Sequence, residues 1–236
     1  MGEPGVATER VRAADRRPRV VLLDVFETVL RVDALRGRFV DVGRPEHECD
    51  LFFARTLRDG MALTLAGGVR PFEEVARAAL RTTTGHTLSE FALDHVIEGF
   101  AELPPHEDAE PALMALARAR IPVYALTHGP AAVARQALDG VGLRTYMRGL
   151  LSSEEIHSFK PPGRVYTWAC QRADTPADRT ALIAVHSWDV HGAVRAGLVG
   201  AMATRLEGRV PDTIARPHVV AERLDDVVKR LLDLPS

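Results

Sequence analysis

The stretch Val20-Val21-Leu22-Leu23-Asp24-Val25-Phe26-Glu27-Thr28 decides how this chain folds and where its chemistry lies. An unbroken apolar run, half of it β-branched, reads as a strand buried on both faces. The run stops at a carboxylate. In an open α/β sheet, ligands gather outside the carboxyl ends of the strands, which puts Asp24 at the expected site. A carboxylate fixed there can act as a nucleophile and form a covalent ester. Phosphate-transferring enzymes that use such an Asp usually carry a second Asp two positions later, as an acid for the leaving group. Phe26 stands there instead. A phenyl ring donates no proton, so phosphate chemistry is disfavoured and another leaving group is favoured.

Working outward, further strand-like runs fall at 121–126 and 181–185, with shorter candidates at 149–152, 199–203 and 218–220. Helix-compatible spacing separates them at 111–119, 131–138, 164–173 and 192–196. Alternation of this kind predicts a parallel sheet covered on both faces. The segment after the first strand breaks the alternation. It carries only helical patterns, at 49–66, 72–82 and 88–99, separated by Gly67-Gly68 and Thr84-Gly85. The expected organisation is an N-terminal disordered tail at 1–18, an α/β core formed by 19–30 and 105–236, and an inserted helical cap at 31–104. Pro104-Pro105 is the expected hinge, because Pro excludes helix there. A cap so placed would cover the sheet's C-terminal edge and exclude water.

Three later motifs follow the first in order. The strand Ile121-Pro122-Val123-Tyr124-Ala125-Leu126 runs into Thr127-His128-Gly129, where a hydroxyl and backbone N–H groups can stabilise an anion. Phe159-Lys160-Pro161-Pro162-Gly163-Arg164-Val165-Tyr166 places a Lys before a helix start, from which it could pair with Asp24 and keep it ionised. Ala181-Leu182-Ile183-Ala184-Val185 leads into His186-Ser187-Trp188-Asp189, then the small residues of 192–197, which allow close helix–sheet packing. Those glycines lack G-x-G and follow the wrong strand for a dinucleotide site. There is no H-E-x-x-H and no Cys/His pairing, so zinc is not expected.

Together, D-x-x-x-T, the strand ending in Thr127, K-P-x-x-x-x-Y and H-S-W-D-x-x-G-A resemble the haloacid dehalogenase superfamily. They are closest to its 2-haloacid dehalogenase (type II) branch, and the resemblance runs from Val20 to the C-terminal region. It implies a Rossmann-like parallel sheet core with an inserted helical cap. It also implies a hydrolase in which Asp24 displaces halide from a small organic halide, leaving an ester that water then attacks with help from Asp189 and Lys160. Thr28 and Thr127 would hold the Asp24 oxygens. Phe26, Phe53, Tyr166 and Trp188 would form an apolar wall, with His128 and His186 lining the pocket. No metal or other cofactor is implied, since Lys160 supplies the positive charge. The chain departs from the pattern at two places. Phe53 stands where the cap's carboxylate-binding Arg would fall, with Arg55 and Arg58 pointing elsewhere on the helix, and Ala184 stands where relatives often have Ser. Two alternatives stay open: a Mg²⁺-dependent phosphatase with Asp24 and Asp189 as ligands, and a non-catalytic binding protein on the same scaffold.

Composition agrees with an ordinary globular protein. Lys and Arg number 30 and Asp and Glu 32, for a formal charge of −2, which gives no electrostatic case for nucleic acid or an anionic membrane. No apolar run approaches the ~18 residues a membrane span requires. Cys49 and Cys170 lie far apart with no C-x-x-C spacing and read as reduced thiols of a cytoplasmic protein. The expected partner is a small-molecule substrate. Whether the chain forms a homodimer is left open.

Overall fold

The structure, a computed structural model, describes residues 17–235. The expected tail therefore lies outside the described residues, apart from its last two. Along the chain, β1 (Val20–Leu23) is followed by α1 (Arg36–Asp41), α2 (Glu48–Leu65), α3 (Phe72–Thr83), α4 (Glu90–Glu98) and α5 (Ala109–Arg118). Alternation then begins with β2 (Val123–Thr127), α6 (Ala131–Gly140), β3 (Met147–Ser152), α7 (Gly163–Arg172), β4 (Thr180–Ala184), α8 (Ser187–Arg195) and β5 (Val199–Ala203). The chain closes with β6 (Val219–Ala221) and α9 (Leu224–Leu232).

The strands form one parallel sheet in the order β3-β2-β1-β4-β5-β6. β1, β4 and β5 are buried along their whole length, which explains why their sequences are continuous apolar runs rather than alternating ones. The chain runs outward from β1 to β3 and then crosses to β4 on the other side of β1. That reversal puts the switch point of the sheet at the C-terminal end of β1, where a crevice opens in folds of this class. Register fixes the neighbours there, with Leu23 opposite Ala125 of β2 and Ile183 of β4.

Helices α1 to α4 fill the interval between β1 and α5. In α3 the apolar residues Phe72, Val75, Ala76, Ala79 and Leu80 recur at helical spacing and are all buried. Glu73 and Glu74 sit in its first turn and Arg81 in its last, the arrangement that the helix dipole favours. The chain enters and leaves this helical interval side by side. The Arg31 N–H donates to Pro104 O at 2.8 Å and the His106 N–H to Val29 O at 2.9 Å. One apolar core runs from the sheet into these helices through Phe26, Phe52, Phe53, Phe72, Phe100 and Phe159. Gly60 of α2 lies against the Phe159 ring, and a Cβ there would come within 2.1 Å of it. Among the described residues no helix is long and apolar enough to cross a membrane. Both Cys49 and Cys170 are buried free thiols.

Candidate active site

Asp24 is the first residue beyond β1, and its N–H donates to Ile183 O at 3.1 Å, continuing the ladder to β4. Its carboxylate is almost fully buried and held from several directions. The Thr28 hydroxyl donates to Oδ2 at 2.6 Å and Lys160 Nζ to Oδ1 at 2.8 Å. Thr28 itself accepts the Val185 N–H at 3.1 Å, which ties the loops after β1 and β4 together. Burial works against the Asp24 charge, but Lys160 and His186 outweigh it and hold the carboxyl well below the usual carboxylate range.

Lys160 is fully buried and spends its three ammonium protons on Asp24 Oδ1, Asp189 Oδ2 at 2.6 Å and Leu126 O at 3.2 Å. No acceptor is missing, so Ala184 leaves no gap there. Ala184 packs with Val190, Val194 and Met202 in a separate cluster. Asp189 lies in the first turn of α8, where the helix dipole favours a carboxylate. Its other oxygen accepts the Tyr166 hydroxyl at 2.6 Å. Burial and the nearby Asp24 push the Asp189 carboxyl above its ordinary value, against the pull of Lys160. Gly192 lets α8 approach this corner, since a Cβ would come within 2.5 Å of Pro161 O and 2.7 Å of the Tyr166 ring. The small residues of 192–197 thus serve two contacts: Gly192 meets the Lys-Pro segment, and Ala193 packs with Leu22 and Leu182 of the sheet as expected.

Two expected roles are corrected. Thr127 Oγ1 does not hold Asp24. It is buried without a hydrogen-bond partner, because Thr28, Lys160 and His186 already surround the carboxylate. Tyr166 is not part of the pocket wall. It is fully buried beneath Asp189, in the cluster with Leu22, Leu126 and Leu182, and its hydroxyl steadies that carboxylate.

The two histidines differ in charge. His128 Nδ1 accepts the Lys160 N–H at 3.3 Å, so the ring proton sits on Nε2, which is buried and unpartnered. Burial and Lys160 keep the His128 pKa well below its ordinary value, and the ring is neutral. His186 lies between two carboxylates. Its Nε2 contacts Glu27 Oε2 at 2.6 Å, and its Nδ1 lies 3.2 Å from Asp24 Oδ2 at an angle that makes an ion contact rather than a hydrogen bond. Burial opposes the ring's charge, but Asp24 and Glu27 prevail and raise its pKa to about 10. Glu27 was missed as a partner. The only local signal was its place in the loop after β1, where the backbone turns through φ 65°.

Above Asp24 stands a belt of rings. Trp188 stacks on His186 at 4.9 Å and on His128 at 5.7 Å, and His128 stacks on Phe159 at 5.0 Å. Phe72 continues the belt to Phe26, whose ring meets Phe100 edge-on at 5.4 Å. Phe53 is buried against Phe100 at 6.1 Å. Arg55 bonds Thr83 and Arg58 pairs with Asp59, so both are occupied away from Asp24. A narrow apolar cleft of about 30 Å³, lined by Phe26, Phe72, Ala76, Phe100, Gly129 and Pro130, lies beside the belt.

Asp24, His186 and Asp189 are close enough to bracket a cation, with ligand atoms within 4.8 Å of one another. Lys160 Nζ already stands between the carboxylates, and all four carboxylate oxygens have a proton donor.

The chain is 29% identical over 174 residues to (S)-2-haloacid dehalogenase H-109 of Pseudomonas putida, covering 72% of this chain and 77% of that one. It is 24% identical over 218 residues to another (S)-2-haloacid dehalogenase of Pseudomonas putida, covering 90% and 96%. Its fold matches that of L-2-haloacid dehalogenase from Xanthobacter autotrophicus with a TM-score of 0.84 at 20% identity, over 92% of this chain and 99% of that one. Residues 18–197 match the haloacid dehalogenase-like hydrolases, and the chain belongs to that family.

Proposed function

We propose that the protein displaces halide from a small organic halide, with Asp24 as nucleophile. The observation that carries this reading is a buried carboxylate held ionised by Lys160 and His186, with the ring of Phe26 two positions on, where a phosphate-transferring enzyme would carry its acid. In the first step a carboxylate oxygen of Asp24 attacks carbon, a C–O bond forms, and halide departs with the bonding pair. In the second step water adds to the ester carbonyl of Asp24. Asp189 accepts a proton from that water, aided by its raised pKa. The ester C–O bond breaks, the alcohol leaves, and the carboxylate is restored. The Thr127 hydroxyl and the His128 Nε2–H, both buried and unpartnered, are donors available to substrate or leaving group. In this reading residues 31–104 act as the cap over a core of 19–30 and 105–236, and the protein is cytoplasmic.

The reaction is expected to survive EDTA, because Lys160 occupies the place between the two carboxylates. A panel of haloacids, other organohalides and phosphate esters, assayed with and without Mg²⁺, tests this. Strict dependence on Mg²⁺ with phosphate esters as the only substrates would replace the dehalogenase reading with a phosphatase one.

Phe53 shapes the choice of substrate. Without an Arg at that place, 2-chloropropionate is expected to be a poor substrate, and the natural one to be bulkier or less acidic. A lost charge-assisted contact costs about 1.5–3 kcal/mol, or roughly tenfold to a hundredfold in binding. Phe53→Arg is expected to raise kcat/KM on 2-chloropropionate. Efficient turnover of that acid by the wild type would show that another group has taken over the clamp.

A further inference from the structure

Hydrolysis of the Asp24 ester builds negative charge on the carbonyl oxygen, and a preorganised donor aimed at that oxygen is worth about a hundredfold or more in rate. Lys160 bonds Oδ1 of Asp24, whereas Oδ2 faces the Thr28 hydroxyl at 2.6 Å and His186 Nδ1 at 3.2 Å. His186 is fixed from both sides, its ring stacked on Trp188 and its Nε2 bonded to Glu27 at 2.6 Å. Glu27 occupies a left-handed backbone position, φ 65°, where glycine is the undemanding residue.

The geometry points to a Glu27–His186 dyad as the oxyanion device of the second step: the His186 imidazolium, with Thr28, stabilises the charge that develops on Asp24 Oδ2, and Glu27 is the positioning residue that keeps the ring charged. This rests on the dehalogenase reading above. When Asp24 becomes an ester, His186 loses one of its two carboxylate neighbours. Glu27 remains, the one carboxylate hydrogen-bonded to the ring, and it chiefly opposes burial. The other groups near the ring are Asp189, within 4.8 Å but engaged by Lys160 and Tyr166, the neutral His128 and, across Trp188, the Lys160 ammonium; of these only Asp189 favours its charge. In the step itself water oxygen bonds to Cγ and the carbonyl electron pair moves to Oδ2. One water proton passes to Asp189 and on to the departing alkoxide as the Cγ–Oδ1 bond breaks. The other is released as the carboxylate re-forms, so that halide and one proton are the products beside the alcohol.

The test uses Glu27→Gln, with (S)-2-bromopropionamide and (S)-2-bromopropionate as probes. The expected result is a burst of about one bromide per enzyme followed by turnover slowed roughly tenfold to a hundredfold. The ester should accumulate on the peptide bearing Asp24, visible by mass spectrometry. The loss of activity with rising pH should also begin nearer neutrality in the variant, because the imidazole no longer has Glu27 to hold its proton. His186→Asn should trap the same ester. Glu27→Asp, which keeps the charge, should recover part of the rate and guards against misreading a folding defect. Unchanged steady-state turnover in Glu27→Gln, or loss of the burst together with turnover, overturns the dyad and leaves the dehalogenase reading standing. Release of no bromide by the wild type from either probe overturns both.

Discussion

Replacing Asp24 by Asn is expected to lower turnover by about four orders of magnitude or more while the protein stays folded. Asp24 is the carboxylate at the end of the central strand, and the two other acids nearby are engaged elsewhere. Asp189 is bonded to Lys160 and Tyr166, and Glu27 is paired with His186. Neither can take over the attack. The substitution keeps the shape of the side chain, and Lys160 keeps Asp189 as a partner, so the circular dichroism should change little, while the melting temperature should fall because the charge that Lys160 and His186 stabilise is lost. Mass spectrometry must exclude deamidation back to Asp. Near-wild-type turnover by a verified Asn variant would remove Asp24 from the mechanism.

The second large effect is expected at Lys160. Changing it to Met keeps most of the side-chain volume but leaves two buried carboxylates facing one another without the ammonium between them. Breaking a buried pair by removing one partner costs about 3–5 kcal/mol, read as a lower midpoint in urea at pH 7. The pH dependence has a definite sign. In the wild type the folded pKa of Asp24 lies below its ordinary value of 3.8, so its contribution to stability is present above that pH and lost as pH falls. In the variant the unpaired carboxylates resist ionisation, and acid relieves them. The stability gap between the two proteins should therefore narrow as pH is lowered toward 4. A gap independent of pH would mean that the cost is one of packing rather than charge.

Much of this arrangement could be read along the chain, for physical reasons that differ from element to element. β1 and β5 stand out because strands buried on both faces have no polar residue to interrupt them. Lys160 stands out because the prolines after it fix the backbone at a helix start. The short helix α1 and the 3₁₀ turn at Val32–Leu35 carry too few residues to show a period. The Glu27–His186 contact spans 159 positions and exists only because β4 lies next to β1 in the sheet. Strand order is a tertiary property, and no local pattern announces it. Thr127 fails for a related reason. Its place at a strand end was legible, but how many donors would already crowd the Asp24 oxygens was not. Tyr166 was read from its spacing after Lys160, whereas its direction is set by the approach of α8 that Gly192 allows.

The adjacency of the chain at Arg31 and Pro104 has a consequence for how such a protein can be rebuilt. Because the ends of the intervening segment meet in a short ladder of backbone bonds, the distance to be bridged does not depend on what lies between them. Closing a longer or shorter segment between fixed ends changes the loop entropy only slowly with length. A helical segment from another protein could be spliced between these points with β1 and the strands beside it left intact. The helical segment after β1 can then vary as an exchangeable cassette, while the sheet and the loops at its edge stay as they are.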